Sequence, residues 1–297
     1  MPAAPLLIKR ESKLGELIIK MFTYPFMLRA FCVGSLVALC AALLGVTLVL
    51  KRYSMIGDGL SHVGFGAMAI ATAMNAAPLA VAIPVVIAAS ILLLRLTESS
   101  KINGDAAVAL ISTSALAVGV LVISMSTGMN TDVYNYLFGS ILSMTEQDVL
   151  LTVLTSAAVL VLFILFYNRI FAVTFDETFA RATGMNTGLY NTVISVLTAL
   201  VIVVGMRMMG SLLISSLVVF PAVTSMRVCR TFRSVMICAA VVSVVCLNVG
   251  LTISYLYAVP TGASIVLCNM AAFALFCALG YIVPQVRERL QSSGKTI

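Results

Sequence analysis

Residues 52–66 read RYSMIGDGLSHVGFG, which places an aspartate, Asp58, and the only histidine of the chain, His62, four residues apart at the head of a long apolar segment. On a helix this spacing stacks the two side chains on one face, with about 5–6 Å between their Cβ atoms. Two oxygen or nitrogen donors then point the same way. Every other residue from Met55 to Met74 is apolar, small or uncharged. An ionisable group inside such a segment is costly unless it faces a partner, a cavity or an ion.

The composition around this run sets the class. Of 297 residues, 61% are hydrophobic and only 10% charged, and the mean hydropathy is +1.13. A soluble domain carries about 25% charged residues, so the chain reads as an all-α polytopic membrane protein of about 8–9 transmembrane helices. A β-barrel would show short alternating segments, whereas these apolar runs are continuous. Working outward from residues 52–66, the expected spans are 30–50, 54–74, 79–94, 106–125, 149–167, 189–206, 211–226, 235–257 and 263–283. The sixth and seventh are hinged at Arg207 and Gly210. Residues 1–29 carry Lys9, Arg10, Lys13, Lys20 and Arg29 among helically spaced apolar residues and read as a retained interfacial amphipathic segment. Residues 30–284 form the transmembrane domain, residues 134–142 a short surface helix, and residues 285–297 a cytoplasmic tail.

Net charge of +7 does not indicate a nucleic-acid partner, because the basic residues are scattered between apolar runs. Twelve of the eighteen Lys and Arg fall in the connectors 51–52, 95–101, 169–181 and 227–233 and in the tail, which places these on the cytoplasmic side. Nine spans then put the N-terminus outside, against its own five positive charges. In this topology His62 lies about 15 Å along its helix from Arg52, near the middle of a core about 30 Å thick.

Two readings of the pair stay open on spacing alone. In one, Asp58 and His62 handle a metal or a proton; in the other, Asp58 caps its helix and His62 hydrogen-bonds a neighbouring helix. A neutral imidazole with a carboxylate suits Zn²⁺ or Mn²⁺. Two donors are too few for a closed site, but a two-fold dimer would supply four. The seven cysteines lack C-x-x-C spacing and read as small buried hydrophobes. Gly294-Lys295-Thr296 lacks the glycine five residues earlier that a phosphate-binding loop needs, so ATP is handled elsewhere. The small residues of GSLLISS, 210–216, read as helix packing, and Pro221 is expected to kink the same span.

The run LLGVTLVLKRYSMIGDGLSHVGFGAMAIA from Leu43, followed in order by GDAAVALISTSALAVGVLVIS, YLFGSIL, TFDETFARATGM and GSLLISSLVVFPAVTS, resembles the ABC-3 family of zinc, manganese and iron ABC-transporter permeases. The resemblance runs from about Tyr24 to Pro284. It implies a type II ABC importer in the cell membrane. Two permease copies meet at a two-fold axis, cytoplasmic ATP-binding subunits drive them, and an extracellular metal-binding protein delivers the cargo. It also implies that Asp58 and His62, which match the family's G-D-x-L-S-H element, line the metal path. Gly59 stands where alanine is usual, and Phe65 where proline often precedes the glycine. No cofactor is expected to be bound permanently; a divalent metal, zinc ahead of manganese, is the cargo.

Residues 174–185 match the family's coupling segment, with Phe175, Asp176, Glu177, Phe179, Arg181 and Gly184 expected at the ATPase contact. The residues agree with this, being on the predicted cytoplasmic side, amphipathic about Phe175, Phe179 and Ala182, and ended by the helix-stopping Gly184. A secondary transporter, in which Asp58 and His62 relay protons, is the alternative. An intramembrane metalloprotease is disfavoured by the single histidine and the lack of a His-Glu-x-x-His pattern.

Overall fold

The computed structural model describes residues 21–98, 103–126, 139 and 146–293, with side chains as far as residue 281. The surface helix expected at 134–142, most of the N-terminal segment and the Gly294-Lys295-Thr296 end lie outside the described residues, of which Gly139 is an isolated one. The described residues form eleven helices and no strand: α1 Pro25–Leu50, α2 Ser54–Ala73, α3 Pro78–Glu98, α4 Gly104–Met125, α5 Glu146–Leu165, α6 Tyr167–Phe175, α7 Glu177–Ala182, α8 Thr187–Met209, α9 Ser211–Met226, α10 Phe232–Tyr257 and α11 Thr261–Ser293. Each of the nine expected spans has its helix, and α6 and α7 occupy the connector after the fifth.

Seven of these helices (α1, α3, α4, α5, α8, α10 and α11) are long and apolar enough to cross a membrane. The other two mark the interior. Helix α9, with 16 residues, spans about 24 Å, short of a core about 30 Å thick. Helix α2 is long enough, but its glycines, serines, Asp58 and His62 make it less apolar; its neighbours α3, α4, α8 and α9 pack around it instead. Helix α1 is the second interior element, packed on α5, α8, α9 and α10.

Helix ends follow the chain chemistry. Tyr24 is extended and Pro25 opens α1 at the first helical position, where its missing N–H costs nothing. The first span therefore begins five residues before Ala30. Thr231 and Ser234 cap α10 reciprocally. Helix α11 continues past the expected end at residue 283 to Ser293, so the first part of the expected tail is helical. Helices α8 and α9 are separated by Gly210 alone, at φ 85°, a left-handed conformation that side-chain-bearing residues avoid. Pro221 lies inside α9, and Ser225 donates to its carbonyl at 2.6 Å.

Packing in lipid relies on close approach and on hydrogen bonds between helices. Gly45 of α1 lies against the Val218 carbonyl of α9, with no room for a β-carbon. Ser243 of α10 donates to the Ala38 carbonyl at 3.0 Å, and Ser195 of α8 to the Ser90 carbonyl at 3.0 Å, each worth about 0.6 kcal/mol in such a setting. All seven cysteines are free thiols, and Cys40 donates weakly to the Ser156 carbonyl at 3.4 Å. Long-range ion pairs gather at two ends of the bundle. Lys51 meets Glu177 at one, whereas Arg29 meets Glu146 at 3.0 Å and Arg207 meets Asp148 at 3.8 Å at the other. The connectors at 51–52 and 166–186 therefore share a side, as the distribution of positive charge requires.

Candidate functional site

The site begins where α1 stops. Lys51 is the C-cap of α1, and Arg52 at φ 61° turns the chain so that Tyr53 precedes α2. Tyr53 is the N-cap of α2 and Asp58 is its fifth residue. The helix-cap explanation of Asp58 therefore fails on position. From Ile56 to Ala69, Asp58 and His62 are the only residues of α2 that are not fully buried, with side chains 43% and 18% exposed. All other positions in that stretch are packed against neighbouring helices, so the helix presents one narrow open stripe.

The two side chains lie as the spacing requires, with His62 Nε2 3.6 Å from Asp58 Oδ2. That is ion-pair range but too long for a hydrogen bond. His62 Nδ1 is buried without a hydrogen-bond partner among the described residues, so the alternative in which His62 bonds a neighbouring helix finds no such bond. Ser61 donates to the Asp58 backbone carbonyl at 2.7 Å, and Ser215 of α9 donates to Ser61 Oγ at 3.3 Å, which ties α9 to this turn. No group of three or more His, Cys, Asp or Glu able to hold a metal occurs among the described residues. Asp58 and His62 therefore stand as a pair with no third such group beside them among the described residues.

The two positions at which α2 departs from the common motif have structural counterparts on α4. A β-carbon added to Gly59 would lie 2.7 Å from Val108 Cγ1. Phe65 is fully buried with its ring against Gly119, where an added β-carbon would lie 2.8 Å from Cε1. Valine and glycine on α4 thus match glycine and phenylalanine on α2.

At the same end as Lys51, α6 ends at Phe175, Asp176 caps α7 by accepting from the Phe179 N–H at 2.8 Å, and α7 stops after one and a half turns. Gly184 takes φ 83°, and nothing lies near its open side. Phe175 and Phe179 are exposed, and the Phe175 ring lies tilted against Phe171 and edge-on to Phe232. The packed residue of α7 is Ala180, against Val173 and Tyr190, while Ala182 is exposed with Phe175 and Phe179. Arg181 is exposed and pairs with Glu177 at 3.2 Å.

Glu177 is half-buried and turned towards Lys51 and Asn191. It accepts from Lys51 at 3.1 Å and Asn191 Nδ2 at 3.3 Å. Burial pushes its carboxyl up, but the hydrogen bonds from Asn191 and Lys51 and the charges of Lys51 and Arg181 outweigh burial and hold it below the usual carboxylate range. Sequence reasoning missed Lys51 and Asn191 because their contacts to Glu177 join distant parts of the chain. The one available signal was a lysine at the end of an apolar span and a glutamate on a connector that the positive charges assign to the same side.

The ABC 3 transport family matches residues 23–280. The chain belongs to this family. As an ABC 3 transport protein it is a multi-pass membrane component of a transporter in the cell membrane, built of the helices described above. The manganese transport system membrane protein MntC of Halalkalibacterium halodurans is 26% identical over 86% of this chain and 88% of its own length. The high-affinity zinc uptake system membrane protein ZnuB of Haemophilus influenzae is 28% identical over 83% of this chain and 94% of its own. Among solved structures, a chain of PsaBC from Streptococcus pneumoniae in complex with Fab superposes with a TM-score of 0.79 at 28% identity, covering 88% of this ABC 3 protein and 94% of that chain.

Proposed function

We infer that this chain is the membrane-spanning permease of an ATP-driven importer of divalent metal, zinc ahead of manganese, with Asp58 and His62 as the donors along its path. The observation that carries this reading is the open stripe on α2, where two donors 3.6 Å apart are the only positions between Ile56 and Ala69 that are not buried. Two copies related by a two-fold axis, each presenting that stripe, would offer two carboxylates and two imidazoles, a four-donor set for a tetrahedral ion. Similarity to proteins named for zinc uptake and manganese transport supports a divalent metal as cargo. Imidazole tilts the choice towards zinc, whereas carboxylate serves either ion. Two donors per chain suit an ion that passes and is not stored.

The power source is a cytoplasmic ATP-binding subunit, and an extracellular metal-binding protein supplies the ion. The exposed Phe175 and Phe179, with Asp176, Arg181 and Gly184 beside them, give the end of α6 and α7 an apolar knob that fits a groove on the ATPase. Glu177 takes part from the inner side of the same segment. The test is uptake of radioactive zinc and manganese into vesicles holding this protein with its ATPase and binding protein. Uptake that needs ATP and favours zinc is expected. Uptake that persists without ATP on a proton gradient would overturn the reading in favour of proton-coupled transport.

A further inference from the structure

Lys51 is a buried cation with no part in the ion path, and its surroundings suggest a task. Its side chain is 7% exposed, and its ammonium donates to three elements. It reaches the Val173 carbonyl at the end of α6 at 3.2 Å, Oε2 of Glu177 at the start of α7 at 3.1 Å, and Oδ1 of Asn191 in α8 at 2.6 Å. Asn191 closes the cluster by donating to the same Glu177 oxygen. An ammonium has three donors, so this one is saturated, and three acceptors offset its desolvation.

On its other side Lys51 belongs to a stiff elbow. The Arg52 N–H donates to the Val49 carbonyl at 3.1 Å and the Tyr53 N–H to the Leu48 carbonyl at 2.8 Å, the paired bonds of a Schellman turn. Arg52 occupies the left-handed position where glycine is usual. Helix α2 starts at Ser54, and Asp58 lies in its second turn. Between the lysine that grips the coupling segment and the helix that carries Asp58 and His62 there are only two residues, both fixed by backbone hydrogen bonds. A charged three-way contact is directional, so it pulls as well as pushes, which apolar packing between sliding helices does not.

We propose that Lys51 is a positioning residue that carries movement of residues 174–186 to the head of α2, so that the Asp58–His62 pair is driven through a polar contact within one chain. This rests on the reading of α7 as the ATPase contact and of the pair as the ion path.

The experiment uses the complete transporter in lipid nanodiscs, with and without bound ATP, and reads amide hydrogen exchange at 52–62 and at 174–186 together with zinc taken up per ATP. In wild type, ATP changes exchange in both segments. Lys51→Met keeps the change at 174–186, loses it at 52–62, and lowers zinc per ATP about 10-fold, a mid-range coupling effect. Glu177→Gln, which keeps an acceptor oxygen, gives the same selective loss to a smaller degree. The double variant Lys51→Glu with Glu177→Lys restores part of it. A wild-type change at 52–62 in both single variants would overturn the proposal. So would loss of the change in both segments together, which marks a purely structural lysine. The exchange readout does not depend on cargo. If the ion-path reading fails, Asp58→Ala retains uptake, and the exchange test still decides the role of Lys51.

Discussion

Glu177 and Asp58 both sit beside basic side chains, and they are completed differently. Glu177 is enclosed by Lys51, Asn191 and Arg181, and the lysine opposite it has every donor matched. Among the described residues, Asp58 has only a 3.6 Å approach from His62, whose other nitrogen is buried without a hydrogen-bond partner. The first pair is finished within one chain and holds helices together. The second has unused valence and an open face, the condition in which donors serve something that arrives from outside.

The contrast is broken most sharply by removing the open donors. His62→Ala is expected to bring zinc uptake to background while the complex assembles and melts as wild type, since no hydrogen bond to another helix is lost. Measuring uptake and the melting temperature of the same preparation checks both halves. Lys51→Met should do the reverse to stability. It strands the acceptors of Glu177 and Asn191 and costs about 1–3 kcal/mol, whereas Asp58→Asn should stay within about 0.5 kcal/mol of wild type. Thermal unfolding in detergent at equal lipid content reads the difference.

A smaller effect tests whether the open pair needs the present seating of α2. Gly59→Ala drives a β-carbon towards Val108 and should cost about 1 kcal/mol, and Val108→Ala in the same chain should recover it. Chemical denaturation of the two variants is the check. If the second change recovers nothing, the close fit of α2 on α4 is not what limits residue 59.

The smallest effect concerns pH. Because its folded-state carboxyl is held below the usual range, Glu177 contributes its pairing fully above about pH 4.3 and loses it only as pH falls through the lowered value. Stability from this cluster should be flat across neutral pH and fall in acid, and Glu177→Gln should remove that part of the acid loss. Thermal melts over an acid-to-neutral series measure it.

The fold was legible because a membrane span announces itself by continuous apolar length, and helix boundaries fell within a few residues of positions marked by Pro25, Lys51, Asn186 and Gly210. The Asp58–His62 juxtaposition was legible because four residues on a helix is a local geometric fact. The inward turn of Glu177 was not, since an acid on a cytoplasmic connector reads as exposed until Lys51 is found beneath it, 126 residues away in sequence. The residue on which α7 packs was likewise hidden in the sequence. Phe175, Phe179 and Ala182 stay exposed, and Ala180 is the residue buried against Val173 and Tyr190.

The most direct measurement compares the two carboxylates in one assay, uptake of radioactive zinc by the complete transporter carrying either Asp58→Asn or Glu177→Gln. Background uptake in the first, with measurable uptake at a higher ATP cost in the second, is the expected result. Wild-type uptake in Asp58→Asn would contradict the assignment of the open pair as the ion path.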